Sequence, residues 1–236
     1  MHARTAVMSL LLVLLGVPAH AITLDELRRS LAEFHGEAPM RIRIDSTDRR
    51  GEGKEKVESR GASVAEDDGT SIRLVHDKKE LRQQLAKKTS NNRADHSVPA
   101  TEVFEFMNYA PSLLKTLEGA TLKKATPTTL DGNPATLLEI IPVREKDEDG
   151  DKWIKGYNDT LLLWLGPGNV PLAAERTTKI KARIVVIGVE FNKKEKYRFT
   201  RSGERLLVAA RSVESSSSGL GKSESQFKTA MVSVLR

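Results

Sequence analysis

Three stretches of the 236-residue chain carry residue types at spacings that could do chemistry. Asp147-Glu148-Asp149-Gly150-Asp151 sets oxygens at alternate positions, as a calcium loop does. Such a loop then requires glycine sixth and a bidentate glutamate twelfth, where this chain has Lys152 and Asn158. It reads instead as an acidic, solvated loop. Gly221-Lys222-Ser223 matches the end of a phosphate-binding loop, but Ser216 stands where the first glycine must be. Only 13 residues follow Ser223, too few for the parallel sheet on which that loop works. His35, His76 and His96 fall at a predicted helix end, a strand end and a loop, without ligand spacing among them. No serine sits in a G-x-S-x-G turn. A Ser/His/Asp triad assembles across sequence distance, so spacing alone neither supplies nor denies one. With no motif to anchor it, a hydrolase is the weakest reading. No catalytic set, metal-ligand set or cofactor is expected, and the chain reads as a non-enzyme.

The elements that must position any site begin after residue 21. Met1-His2-Ala3-Arg4 is a short basic start, Thr5–Val17 an apolar run, and Pro18-Ala19-His20-Ala21 a small–x–small cleavage pattern. This is the build of a secretory signal peptide cleaved after Ala21, too short and wrongly flanked for a membrane-spanning helix. Residues 22–236 are then expected to form one soluble periplasmic domain. The chain has no cysteine, which removes both disulfides and lipid attachment at an N-terminal Cys. The roughly 215 residues after Ala21 can bury a core without them. The formal net charge is +6, with Arg41/Arg43/Arg49/Arg50 and Lys78/Lys79/Lys87/Lys88 as the densest basic groups. Acids are interspersed, so the surface reads mainly as mixed and solubilising. Peripheral contact with a membrane surface is open to such a basic envelope protein. Nucleic acid is not an expected partner for an exported chain without a recognition motif.

Thr23-Leu24-Asp25-Glu26 is a capping box opening a helix over 22–36, with Leu24, Leu27, Leu31 and Phe34 as its apolar stripe and Gly36 as its C-terminal cap. Met40–Thr47 alternates strictly and predicts a half-buried strand. Lys54–Ala65 and Thr70–Val75 follow as strands about an Asp67-Asp68-Gly69 turn, and Asp77 caps a helix to about Lys88. Thr89–Ala100 reads as a mobile loop. In Thr101–Gly119, Pro111 divides a short helical or irregular piece from a helix running from about Pro111 to Glu118. Thr121–Thr129 and Ala135–Val143 form a hairpin about Asp131-Gly132, a pair that tolerates the positive φ of a tight turn.

From Asn158 onward the runs Asn158–Leu165, Val170–Thr178, Arg183–Asn192, Lys194–Arg201 and Glu204–Val213 lie too close together for parallel crossovers and predict an antiparallel meander. Ser215–Ser218 reads as flexible connection and Phe227–Leu235 as a final strand, although Phe227, Met231 and Val234 would also suit a helix. The expected fold is α+β, a mostly antiparallel sheet of about eleven strands, with about three helices. Leu161–Leu165 and Ile184-Val185-Val186-Ile187 are apolar at every position, as central strands are when helices cover one face and loops the other. The functional reading of the same strands is an apolar cavity suited to acyl chains. Its candidate lid is Leu27, Leu31, Phe34, Phe104, Phe106, Met107, Leu114 and Leu117, and its candidate floor Leu161, Leu163 and Leu165.

Two hairpins, Leu130-Asp131-Gly132-Asn133-Pro134-Ala135 leading into Leu137-Leu138-Glu139-Ile140, and Trp164 through Leu172, occur in an order that resembles the periplasmic lipoprotein-carrier family. That family includes the outer-membrane lipoprotein-sorting carriers. The resemblance spans residues 22–236 and implies a strongly curved, eleven-stranded half-barrel whose helices pack on a hydrophobic concave face. It implies a non-enzymatic carrier of lipid or lipoprotein acyl chains towards the outer membrane. The alternative within the same fold is an envelope-stress sensor or protein-interaction domain, with an envelope protein as partner and no lipid cargo.

Overall fold

The computed structural model describes residues 22–51, 57–75, 98, 100–144, 152–184, 187–219 and 222–235. The expected signal peptide, the helix after Asp77, most of the Thr89–Ala100 loop, the acidic loop Asp147–Asp151, His76 and His96 lie outside them.

Ten antiparallel strands form one open sheet: β1 (Met40–Arg50), β2 (Val57–Asp67), β3 (Ile72–Val75), β4 (Thr121–Leu130), β5 (Asn133–Ile141), β6 (Ile154–Leu165), β7 (Pro171–Ile184), β8 (Ile187–Ser202), β9 (Arg205–Gly219) and β10 (Lys222–Leu235). Their order is β3-β2-β1-β10-β9-β8-β7-β6-β5-β4, so the last strand docks on the first and joins the ends of the domain. Three helices are described: α1 (Leu24–Ala32), α2 (Ala100–Met107) and α3 (Ala110–Leu117). The mostly antiparallel sheet with three helices is as expected. The sheet is neither closed nor strongly curled.

The capping box forms with both bonds: Glu26 N–H donates to Thr23 Oγ1 at 3.2 Å and Thr23 N–H to Glu26 Oε2 at 2.8 Å. Gly36 does not close α1. Glu33 holds the cap in right-handed helical geometry. Gly36 lies beyond it and donates to Glu204 O at 3.1 Å, against an Arg205 side chain that a Cβ would strike. The Asp131-Gly132 turn has φ of 51° and 82°, the doubly left-handed geometry its residues allow.

Three expected runs, Val170–Thr178, Arg183–Asn192 and Lys194–Arg201, are two long strands, so ten strands stand among the described residues where about eleven were expected. The ladder pairs Ile184 with Ile187, which puts the reversal inside the β-branched run that reads as a strand centre. Ser215–Ser218 is strand as well. It pairs with Lys193–Glu190 of β8 on one side and with Gln226–Ser223 of β10 on the other, and two ladders override weak strand propensity. Ser223 is likewise ladder, not a phosphate loop.

The core lies between the helices and one face of the sheet. Leu27 and Leu31 of α1, Val103, Phe106 and Met107 of α2, and Leu113 and Leu117 of α3 are buried against Ile42, Ile44, Leu138, Ile140, Leu161, Leu163 and Leu165. Asn108, between α2 and α3, is the polar clasp. Its Nδ2 donates to Phe34 O at 2.8 Å, and its Oδ1 accepts from Ala110 N at 3.3 Å and Leu206 N at 3.4 Å. Tyr109 N–H donates to Leu206 O at 2.8 Å. Leu163 sits under the helices and Leu162 on the opposite face, half-buried. Leu163→Ala is therefore expected to lower unfolding free energy by roughly 2–5 kcal/mol and Leu162→Ala by well under half of that, measured by urea denaturation. Equal losses would mean that the two faces are misassigned.

Candidate functional site

The helix-facing side of the sheet changes character along the strands. One cross-strand row runs Leu138, Leu163, Ala174, Tyr197, Arg211, Ala230. The next row on the same face runs Ile140, Leu161, Arg176, Glu195, Val213, Lys228, and the one after it begins Asp159, Thr178, Lys193. Apolar floor thus gives way to ionisable groups within two residues on β6, β7 and β8. A cavity of about 670 Å³ opens there, between the α2–α3 pair and the sheet.

Arg211 reaches this face through a defect in the ladder. Phe199 pairs with Val208 but Tyr197 with Arg211, so β9 spends three residues where β8 spends two. Without that bulge, strict alternation from Leu206 and Val208 would turn residue 211 to the other face. The bulge re-aims a cation into the cavity.

Asp159, fully buried at its side chain, is satisfied four ways. Arg176 Nη2 lies 2.6 Å from its Oδ2 and Nε 3.1 Å from its Oδ1, Thr178 Oγ1 donates at 3.2 Å and Tyr157 OH at 3.1 Å. Glu195 accepts from Arg211 Nη2 at 2.8 Å, Tyr197 OH at 2.9 Å and Lys193 Nζ at 2.9 Å. Burial works against its charge, but the Arg211 hydrogen bond and the Lys193 ammonium outweigh that and hold its carboxyl below the ordinary value. The Arg211 guanidinium lies over the Tyr197 ring, and Glu102 and Glu105 of α2 approach it at 3.6 and 4.0 Å. Its Nε is buried without a hydrogen-bond partner among the described residues. Tyr109, Tyr197 and Phe199 stack at centroid distances of 4.7–5.9 Å and stand between cavity and core. Loss of hydration pushes the Tyr109 phenol up to about 12. The cavity can therefore recognise polar and charged groups by paired cations, hydroxyls and ring edges, with Pro142, Val143 and Ile154 as an apolar wall.

The eleven residues expected to line an apolar cavity take other places. Leu27, Leu31, Phe34, Phe106, Met107, Leu117, Leu161, Leu163 and Leu165 are brought together as packed core. Leu114 is partly buried against them and Phe104 is exposed. None borders the cavity. The ionic residues were missed, although Asp159 keeps phase with Leu161 and Leu163, and Glu195 with Tyr197 and Phe199, a signal present in the sequence. His35 pairs with Glu204 at 3.5 Å on the surface. Comparison with family models, curated proteins and solved structures finds no match to this chain.

Two outcomes follow. Arg176→Met strands the buried Asp159 charge and is expected to cost near the lower end of roughly 3–5 kcal/mol, since Arg176 is itself one-third exposed. Adding Asp159→Asn should restore part of the loss in thermal unfolding. A lowered carboxyl pKa contributes stability that is present above the unfolded value of 4.5 and lost as pH falls through the folded value. Urea titrations over acid pH should show that decline in the wild type and a shallower one in Glu195→Gln. An unchanged slope would contradict the pairing.

Proposed function

We propose that the chain is a non-enzymatic carrier that holds lipid or lipoprotein acyl chains in the periplasm for transport towards the outer membrane. The observation that carries this reading is the gradient along one sheet face, where an apolar floor under three helices meets a polar cavity rich in Arg, Lys and Tyr. An amphiphile has the same two parts. Acyl chains would replace helix contacts on Leu161, Leu163 and Leu165, and the headgroup would lie against Arg176, Lys193 and Arg211. Each buried methylene contributes about 0.8 kcal/mol, so a chain of a dozen or more needs no catalytic group to be held. Helices α1–α3 act as the lid. The polar ties of the α2–α3 junction run through Asn108 and Tyr109 to Leu206, at the beginning of β9, which leaves that end as the hinge. Part of this reading is a sheet curved into a half-barrel about the cargo, a curvature proposed for the loaded form. Membership of the lipoprotein-carrier family is proposed with it.

The second reading is an envelope-stress sensor or protein-interaction domain without cargo. It is favoured by the packing of nine of the eleven expected lining residues into a closed core. The deciding experiment is organic extraction and mass spectrometry of protein purified from the periplasm without detergent. Near-stoichiometric phospholipid or acylated peptide, absent from a control protein, is expected. An empty protein that also takes up no fluorescent fatty acid would sink the carrier and favour the second reading.

A further inference from the structure

The hairpin β7–β8 holds nine Lys and Arg against three Glu, so its formal charge is +6, the entire net charge of the chain. The rest of the chain is balanced. Much of that charge lies at the end of the hairpin remote from the Ser202–Arg205 turn, past the helices. There Lys179, Lys181 and Arg183 are exposed on the face turned away from the helices, with only Glu190 among them. A groove of about 840 Å³ runs beside them, with Lys179, Arg49 and Lys194 on its lining; Arg49 pairs with Glu58 and Lys194 with Glu175, and Glu214 is the carboxylate that lines the groove itself. Hydroxyls and amides, Thr177, Asn192 and Ser216 among them, complete the wall. The opposite face of the same hairpin end carries Ile180, Val189 and Phe191, which are partly exposed and lie outside the apolar core.

We propose that this hairpin end docks on an anionic lipid bilayer, with phosphate headgroups in the basic groove. Charge complementarity names the partner. A cationic face of this density attracts a negative surface over a Debye length, and each Lys or Arg brought near anionic lipid strengthens binding roughly fivefold. The apolar side gives the same element surface to place at the headgroup boundary, a two-sided arrangement that a soluble polyanion does not use. The inference concerns where the protein sits and stands whether or not it carries cargo.

The test is co-sedimentation of the purified protein with vesicles of phosphatidylcholine alone and with one third phosphatidylglycerol, at low and physiological salt. Binding to the anionic vesicles only, weakened by salt, is expected. The combined Lys179→Ser, Lys181→Ser and Arg183→Ser variant should lose on the order of a hundredfold. A variant with the same charge change elsewhere, Arg41→Ser, Arg43→Ser and Lys123→Ser, should stay within about threefold of wild type, its loss being only the screened long-range part. Circular dichroism checks that both fold. Equal binding to neutral vesicles, equal losses in the two variants, or capture of soluble polyphosphate without vesicle binding would each overturn the proposal.

Discussion

One extra residue in β9 sets what the helix side of this sheet can do. Before it, Leu206 and Val208 face the helices and β9 belongs to the apolar floor. After it, the register with β8 has slipped by one, and Arg211 faces the helices beside Tyr197 and Glu195. A one-residue slip exchanges the faces of every later side chain. The floor and the cavity are therefore two stretches of one surface: on β6, β7 and β8 the residue type changes along an unbroken strand, and on β9 the ladder defect turns Arg211 to join them.

The divide is steep because it is energetic as well as geometric. A buried carboxylate persists only when its lone pairs are met, and Asp159 and Glu195 each hold several donors. Those donors come from β6 and β7 for Asp159 and from β8 and β9 for Glu195, so each cluster ties two neighbouring strands in the middle of the sheet. The Tyr109–Tyr197–Phe199 stack adjoins them: the Tyr197 hydroxyl donates to Glu195, and the rings pack with the apolar core. On the helix side, Asn108 does for the α2–α3 junction what the ion pairs do for the strands. It hydrogen-bonds three backbone groups, Phe34 O, Ala110 N and Leu206 N, in a buried setting.

Alternation and turn chemistry made much of the architecture legible. Met40–Ile44, the Asp131-Gly132 turn, the capping box and the Pro111 division each specify local geometry by a local cause, and each stands in the structure. What failed was non-local. The reversal at Ile184–Ile187 sits in residues of high strand propensity, and the serines of β9 are held as strand only by neighbours on both sides. Gly36 serves close packing against Arg205, a contact between residues far apart in sequence. Most of the apolar residues named in advance belong to the core, but whether such residues enclose space or fill it depends on how helices settle on a sheet. Asp159 and Glu195 could have been found, as charges in phase with buried positions. Arg211 could not, because the bulge that turns it inward leaves no mark in the pattern.

The central claim is that the helices lift from an apolar floor to admit an acyl chain while the polar cavity takes the headgroup. Hydrogen–deuterium exchange of the purified protein, with and without lysophosphatidylglycerol, tests it most directly. The account predicts altered exchange across Ala100–Leu117 together with protection in β6 and β8 beside the cavity. Unchanged exchange in the helices, or protection confined to the far end of the β7–β8 hairpin, would contradict it.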